Sequence, residues 1–241
     1  MPDPYKLSDI LTEDVTLHPV EPGLYSIYPT GNSPGAYDSV GVSAIYDMVA
    51  CNGLYNRLMW GYSRKKYTPY CETSLASSPD GWVLDLACGS LAFTADMYAR
   101  YPNRPVVFLD QSLNLLRKGK ARLEKLMANI PGNRFYLHAD ALQLPFRANV
   151  FKTVISLNLL HCIHDVKTVL REIKRVSTDD GNFAATTLIR SGRWSDRYLH
   201  LLTESGALVS RSPDELLPEF NDMGMSITHT VEGNLTFIRY E

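Results

Sequence analysis

Four places where a β-rich run of this sequence ends carry groups able to hold a nucleoside. The first is Val83-Leu84-Asp85-Leu86-Ala87-Cys88-Gly89-Ser90, a strand-like run opening into small residues. Small residues let backbone approach a ligand closely, and a following helix offers free N–H groups. Asp85 can accept hydrogen bonds from ligand or loop. The second is Asp110, which closes Val-Val-Phe-Leu-Asp. A carboxylate at the end of a second parallel strand is placed to accept both hydroxyls of a ribose. Its competing role, capping the next helix, can fall to Ser112 instead. The third is His138-Ala139-Asp140-Ala141-Leu142, where the acid can take an adenine amino hydrogen and the next backbone N–H can donate to the ring. The fourth is Ser156-Leu157-Asn158-Leu159-Leu160-His161. Ligands of open α/β sheets bind outside the carboxyl ends of the strands, so four such ends belong to one cleft.

His161 is the candidate general base by position, with His164 second, because an imidazole titrates near neutrality. The plainer role for His161 is a packed or hydrogen-bonded ring at the end of the fourth strand. Cys162 beside it reads as a buried thiol. Tyr46, Tyr55, Trp60 and Tyr62 offer apolar walls, phenol donors and ring faces suited to a flat or cationic ligand. Core packing is the competing reading for them. Trp194 and Tyr198 follow the fifth strand and provide a second wall. Cys51, Cys71, Cys88 and Cys162 lie too far apart for a thiolate metal site, and no metal is expected.

The elements that would position these residues follow an alternating pattern. Strands are predicted over 82–87, 105–109, 134–138, 151–157 and 182–189, and helices over 91–101, 112–127 and 166–176. Such alternation implies a parallel sheet wrapped by helices. Ser212-Pro213-Asp214-Glu215 is a helix start, with Pro at the first helical position and acids in the first turn. Two β-like segments follow, 225–231 and 235–240, joined by Glu232-Gly233-Asn234, so the last strand should run antiparallel to the rest. Before Trp82 the chain is less regular. It reads as turn-rich up to about Pro34, then helical over 43–50 and 54–64. The expected division is an N-terminal extension and helical lid over 1–78 and the α/β domain over 79–241.

The 241 residues carry a net charge of −2, which gives no electrostatic footprint for a nucleic-acid partner. No apolar run is long enough to cross a bilayer, and the first residues do not read as a secretory signal. Separated cysteines suit a reducing compartment, so the expectation is a cytoplasmic protein. Oligomeric state is left open, a homodimer included.

In motif order the chain resembles the class I methyltransferases, and specifically the branch that includes the ubiquinone/menaquinone C-methyltransferases (methyltransferase type 11). Leu84 to Gly89 matches the first motif of that branch, and Leu109-Asp110-Gln111-Ser112 matches the second. Asp140-Ala141-Leu142-Gln143-Leu144-Pro145-Phe146 matches the third, and Leu160-His161 with Asp165 the fourth. The resemblance covers about residues 40 to 241. It implies a Rossmann-like sheet of seven strands, mostly parallel with an antiparallel last strand, and S-adenosylmethionine as cofactor. It places Asp85, Ala87, Cys88 and Gly89 at the methionine moiety, and Asp110, Gln111 and Ser112 at the ribose. Asp140, Ala141 and Leu142 fall at the adenine, and Leu157 and Asn158 where donor and acceptor meet. The acceptor is expected to be a small, apolar or aromatic molecule, methylated on carbon or oxygen.

One position departs from the branch. The first motif usually continues Gly-Thr-Gly, and here it runs Gly89-Ser90-Leu91. A leucine tolerates φ > 0 poorly, so Leu91 is expected to reshape the pocket or weaken donor binding. The alternative reading is therefore a catalytically silent relative that keeps the fold for binding or regulation. A nicotinamide oxidoreductase is disfavoured, since no G-x-G-x-x-G follows the first strand to hold a pyrophosphate.

Overall fold

The computed structural model describes residues 5–29, 52–127 and 129–240. Its centre is one sheet in the order β1-β2-β5-β4-β3-β6-β7-β9-β8. The middle strands are β3 (Trp82–Leu86), β4 (Val106–Asp110), β5 (Arg134–His138), β6 (Phe151–Leu157) and β7 (Ser177–Leu188), all mutually parallel. The chain builds outward from β3 to β5 in one direction and from β6 to β7 in the other. That reversal leaves a crevice at the carboxyl ends of β3, β4 and β6, where α/β sheets bind ligands.

Sequence alternation decides which residue faces which layer of helices. Leu84, Leu86, Val107, Leu109 and Leu137 face one side, with Val169, Leu170 and Ile173 of α4 (Val166–Val176) and Leu216 and Phe220 of α6 (Pro213–Asp222). Val83, Val106, Phe108 and Tyr136 face the other, against α1 (Tyr67–Ser77), α2 (Ala95–Arg100) and α3 (Leu113–Leu126). Strands buried on both faces read as continuous apolar runs for this reason. Each fully buried aliphatic side chain contributes roughly 1.5–3 kcal/mol, so α4 is held mainly by its Val169, Leu170 and Ile173 face. Its start is set by Asp165, whose carboxylate accepts from the Thr168 N–H at 3.0 Å. Ser112 likewise caps α3, accepting from Leu115 N–H at 3.3 Å.

The sheet has nine strands, not seven. Two of the additions come from the N-terminal stretch that reads as turns. β1 (His18–Glu21) pairs antiparallel with β2 (Leu24–Ser26), and β2 adds in parallel to β5. A turn signal, Pro22-Gly23, was present; Gly23 takes φ 76, which such a turn requires. Pro19 masks the strand pattern, and an edge strand tolerates it. The C-terminal hairpin is β8 (Ile227–Glu232) and β9 (Leu235–Tyr240), with β9 antiparallel to β7 as expected. β7 starts five residues before the expected strand over 182–189 and runs through Asp179-Asp180-Gly181. Helix α1 has no counterpart in the expected elements: Pro69 obscures it, although a first-turn proline costs a helix little. The expected helix over 54–64 is instead a single turn, Gly53–Tyr55, a π turn over Asn56–Trp60 and a 3₁₀ turn over Arg64–Lys66. The helix expected over 43–50 lies outside the described residues. Among the described residues no helix is long and apolar enough to cross a membrane.

Candidate active site

The carboxyl ends of β3 to β6 surround a cleft with an empty volume of about 750 Å³, open mouth included. Eight of the sequence-predicted cofactor positions line it: Ala87, Gly89, Asp110, Gln111, Asp140, Ala141, Leu157 and Asn158. Sequence reasoning assigned no role to the apolar floor supplied by Leu109, Leu115, Leu159 and Ile163, and Cys162, expected as a buried thiol, is half-buried and lines the cleft. Those residues give no signal of their own until the strands are ordered.

Asp110 organises the cleft. One carboxylate oxygen accepts from the Gly89 N–H at 2.8 Å and the other from the Ser112 N–H at 2.9 Å. It therefore ties the loop after β3 to the start of α3. A carboxylate has about four lone-pair sites, so capacity remains for ligand hydroxyls. Asp140 accepts from the Leu142 N–H at 2.9 Å, an Asx turn that orients the loop after β5. Gly89 sits at φ 55, and a Cβ added there would meet nothing within 4 Å, so the space beside it is open. Carboxylates at two strand ends, an open glycine loop and an apolar floor suit a cationic, adenosyl-bearing ligand. Ala87 (φ 56), Leu91 (φ 53) and Asn158 (φ 63) are non-glycine residues in the left-handed region, and all three belong to the strand-end loops of this cleft. Strained backbone of this kind, about 1–3 kcal/mol each, clusters where ligands are held.

Four predicted cofactor positions do not line the cleft. Ser112 is a helix cap, Leu142 closes the Asp140 turn, and Cys88 directs its thiol toward the Gly89 carbonyl. Asp85 is buried behind the loop, accepting from Thr94 Oγ1 at 3.3 Å. Burial pushes its carboxyl up to about 7, with neighbouring Asp110 adding to the rise and hydrogen bonds from Tyr98 and Thr94 opposing it. Leu91 is buried and turned away from the cleft toward α3, where a Cβ on Gly119 would approach its Cγ to 3.1 Å. Leu91 takes the positive φ that leucine tolerates poorly, yet its side chain does not line the cleft, because Gly119 leaves room for it against α3.

His161 is not among the cleft-lining residues. Its Nδ1 accepts from the Leu188 N–H at 3.2 Å and lies 3.0 Å from Thr187 Oγ1. Burial, then the nearby Arg211 charge, lowers its pKa to about 4. The ring is a neutral anchor between the β6 loop and β7, with its basic nitrogen engaged. His164 is exposed, and its carbonyl accepts from Arg211.

The aromatic residues form a flank beside the cleft. Trp60 stacks on Tyr198 at 5.6 Å, and Tyr55 meets Trp60 edge-on at 6.2 Å. Trp60, Tyr62, Leu199, Leu235 and Phe237 pack together, so these rings join the N-terminal segment to α5 (Asp196–Glu204) and the last hairpin. Trp194 is 63% exposed and Tyr46 lies outside the described residues. The residue that links flank and cleft is Tyr67. Asn158 Nδ2 donates to the Tyr67 hydroxyl at 3.0 Å; that hydroxyl donates to Tyr62 at 3.1 Å, and Tyr62 to Asn56 Oδ1 at 2.9 Å. Thr186 Oγ1 donates to Asn158 Oδ1 at 3.3 Å, so the amide is held from both sides. Burial pushes the Tyr62 hydroxyl up to about 12, so it stays protonated as a donor.

Residues 83–181, which run from β3 into β7 and include all four strand ends, match the methyltransferase domain family. Over that stretch the chain is similar to the methyltransferase domain family. Its strand order from β5 to β8, with the antiparallel β9, is the arrangement the motifs implied. A ubiquinone/menaquinone biosynthesis C-methyltransferase of Desulfotalea psychrophila is 30% identical over 142 residues, 58% of this chain and 55% of that protein. A demethylmenaquinone methyltransferase of Geobacillus kaustophilus is 35% identical over 100 residues, 41% of this chain and 42% of that protein. The matched stretch thus spans about half the length of these relatives. The fold likeness extends further. Magnesium protoporphyrin IX methyltransferase of Synechocystis PCC 6803 superposes with a TM-score of 0.64 at 13% identity, over 84% of this chain and 94% of that one.

Proposed function

We propose that this methyltransferase-fold chain is an active enzyme that binds S-adenosylmethionine in the β3–β6 cleft and methylates a small molecule. The observation that supports this most is the convergence of Gly89, Asp110, Asp140 and Asn158 on one cleft. The accommodated Leu91 removes the reason to favour a silent relative. In this reading Asp110 binds the ribose hydroxyls, Asp140 and Ala141 recognise the adenine, and the 87–89 loop lies along the methionine portion. The cofactor supplies an electrophilic methyl group on a sulfonium.

What the chain contributes is alignment and exclusion of water, which supply most of the acceleration of an in-line displacement. Asn158, fixed by Tyr67 and Thr186, borders the cleft where an acceptor meets the methyl group and orients it. Leu157, Leu159 and Ile163 keep that region apolar. His161 is a positioning residue, holding the β6 loop on β7, and no protein base is assigned. Tyr55, Trp60, Tyr62 and Tyr198 pack with one another and do not line the cleft, so it is the apolar lining of Leu157, Leu159 and Ile163 that supports an apolar or aromatic acceptor. The separated thiols support a reducing compartment, the cytoplasm.

Calorimetric titration with S-adenosylhomocysteine, followed by a methyl-transfer screen using labelled S-adenosylmethionine, tests the proposal. Binding at one site per chain with transfer to a small-molecule fraction is expected. Binding without transfer to any acceptor would favour the silent relative, and absence of binding would refute both.

A further inference from the structure

A second cavity lies on the far side of the Tyr67 ring. It has an empty volume of about 940 Å³ and is lined by Arg57, Ser63, Arg64, Lys65, Thr68 and Phe93, with Asp96 its one acid. Three cations against one acid is a local excess in a chain whose net charge is −2. The contrast with the cleft is direct, since the cleft's charged lining is Asp110 and Asp140.

Among the described residues neither Arg57 nor Lys65 takes part in an ion pair, whereas the adjacent Lys66 is bound to Glu232 at 2.5 Å. The Arg64 guanidinium lies over the Phe93 ring at 5.5 Å, which fixes its plane at the cavity wall. Thr68 Oγ1 donates to the Phe93 carbonyl at 3.1 Å, tying that wall to α1. Phe93 stacks on Tyr67 at 4.4 Å, and the Tyr67 hydroxyl bonds Asn158 at the cleft. One pair of rings therefore separates the cationic cavity from the place where methyl transfer would occur.

We infer that this cavity binds an oxyanion, the phosphate or carboxylate group of a small molecule. Two guanidinium groups and an ammonium match such a group in charge, and guanidinium binds it through paired N–H donors. Anion binding at this cavity does not depend on the methyltransferase reading of the cleft.

The test uses the full chain and inorganic pyrophosphate as probe, followed by calorimetry at low ionic strength. Wild type is expected to bind pyrophosphate. The double variant Arg57→Gln/Lys65→Gln should bind it at least about ten-fold more weakly, the effect of losing charge-assisted hydrogen bonds. Both side chains are exposed, so the variant should melt as wild type does. Asp96→Asn should tighten pyrophosphate binding, because it removes the one repelling charge. S-adenosylhomocysteine affinity should stay within two-fold in all variants. Pyrophosphate affinity that is undetectable, or equal in wild type and the double variant, overturns the cavity assignment. Loss of S-adenosylhomocysteine binding in wild type instead overturns the methyltransferase reading while leaving anion binding to stand or fall separately.

Discussion

The cleft above β3–β6 and the cavity beneath Arg57 share the Tyr67–Phe93 partition, yet they are made in different ways. The cleft comes from strand ends and the loops that directly follow them, and its charge is acidic. The flanking cavity comes from a π turn, a 3₁₀ turn and the loop before α2, and its charge is basic. Local sequence specifies the cleft, and long-range packing of irregular segments specifies the cavity. The turn residues bear this out. A Cβ on Gly233 would lie 1.9 Å from the Trp60 carbonyl oxygen, so the last hairpin can seat against the π turn only with glycine there.

The comparison breaks most visibly at Asp110. Asp110→Ala removes both the proposed ribose acceptor and the clamp between the Gly89 loop and α3. We expect S-adenosylhomocysteine affinity to fall about 100-fold, equivalent to two hydrogen bonds to a charged group, with pyrophosphate binding unchanged. Tyr67→Phe acts on the partition itself. It removes the hydroxyl that holds Asn158, so kcat should drop about ten-fold while S-adenosylhomocysteine affinity stays within two-fold. A parallel loss in both would instead make Tyr67 part of the cleft.

Two smaller effects concern the scaffold under the cleft. His161 has a folded-state pKa of about 4, below the value of 6.5 expected in the unfolded chain. The folded chain therefore binds fewer protons between those values. Its stability is complete above about pH 6.5 and declines on acidification, by up to about 1.4 kcal/mol per pH unit. In His161→Gln, denaturant unfolding at pH 7 and pH 5 should lose that part of the acid sensitivity. Gly119→Ala should destabilise by about 1 kcal/mol, because the clash with Leu91 outweighs the gain in helix propensity. In a Leu91→Gly background the cost should shrink without vanishing, since the Gly89 carbonyl oxygen and the Ser90 carbonyl carbon also lie 3.3 Å from that Cβ, and a double-mutant cycle would measure the coupling.

How much of this was legible in the sequence follows the same division. The five parallel strands and the loops bearing Asp110, Asp140 and Asn158 could be read because buried strands are continuous apolar runs and their acids stand at the ends. Asp85 occupies the same kind of position, yet it faces the helices, since side chains alternate along β3 and no spacing rule tells which face meets the ligand. β1 and β2 were hidden by Pro19, and α1 by Pro69. The role of Gly119 became visible only once α3 was seen against the loop after β3. Arg57, Arg64 and Lys65 stand far from Phe93 and Asp96 in sequence, and only the fold brings them together.

The central claim is that an adenosyl ligand is held between the β3 loop and Asp110. Calorimetry of S-adenosylhomocysteine against wild type, Asp110→Ala and Arg57→Gln/Lys65→Gln tests it in one series. The expected result is one site per chain, intact in the double variant and lost in Asp110→Ala. Equal affinity in wild type and a folded Asp110→Ala would contradict it.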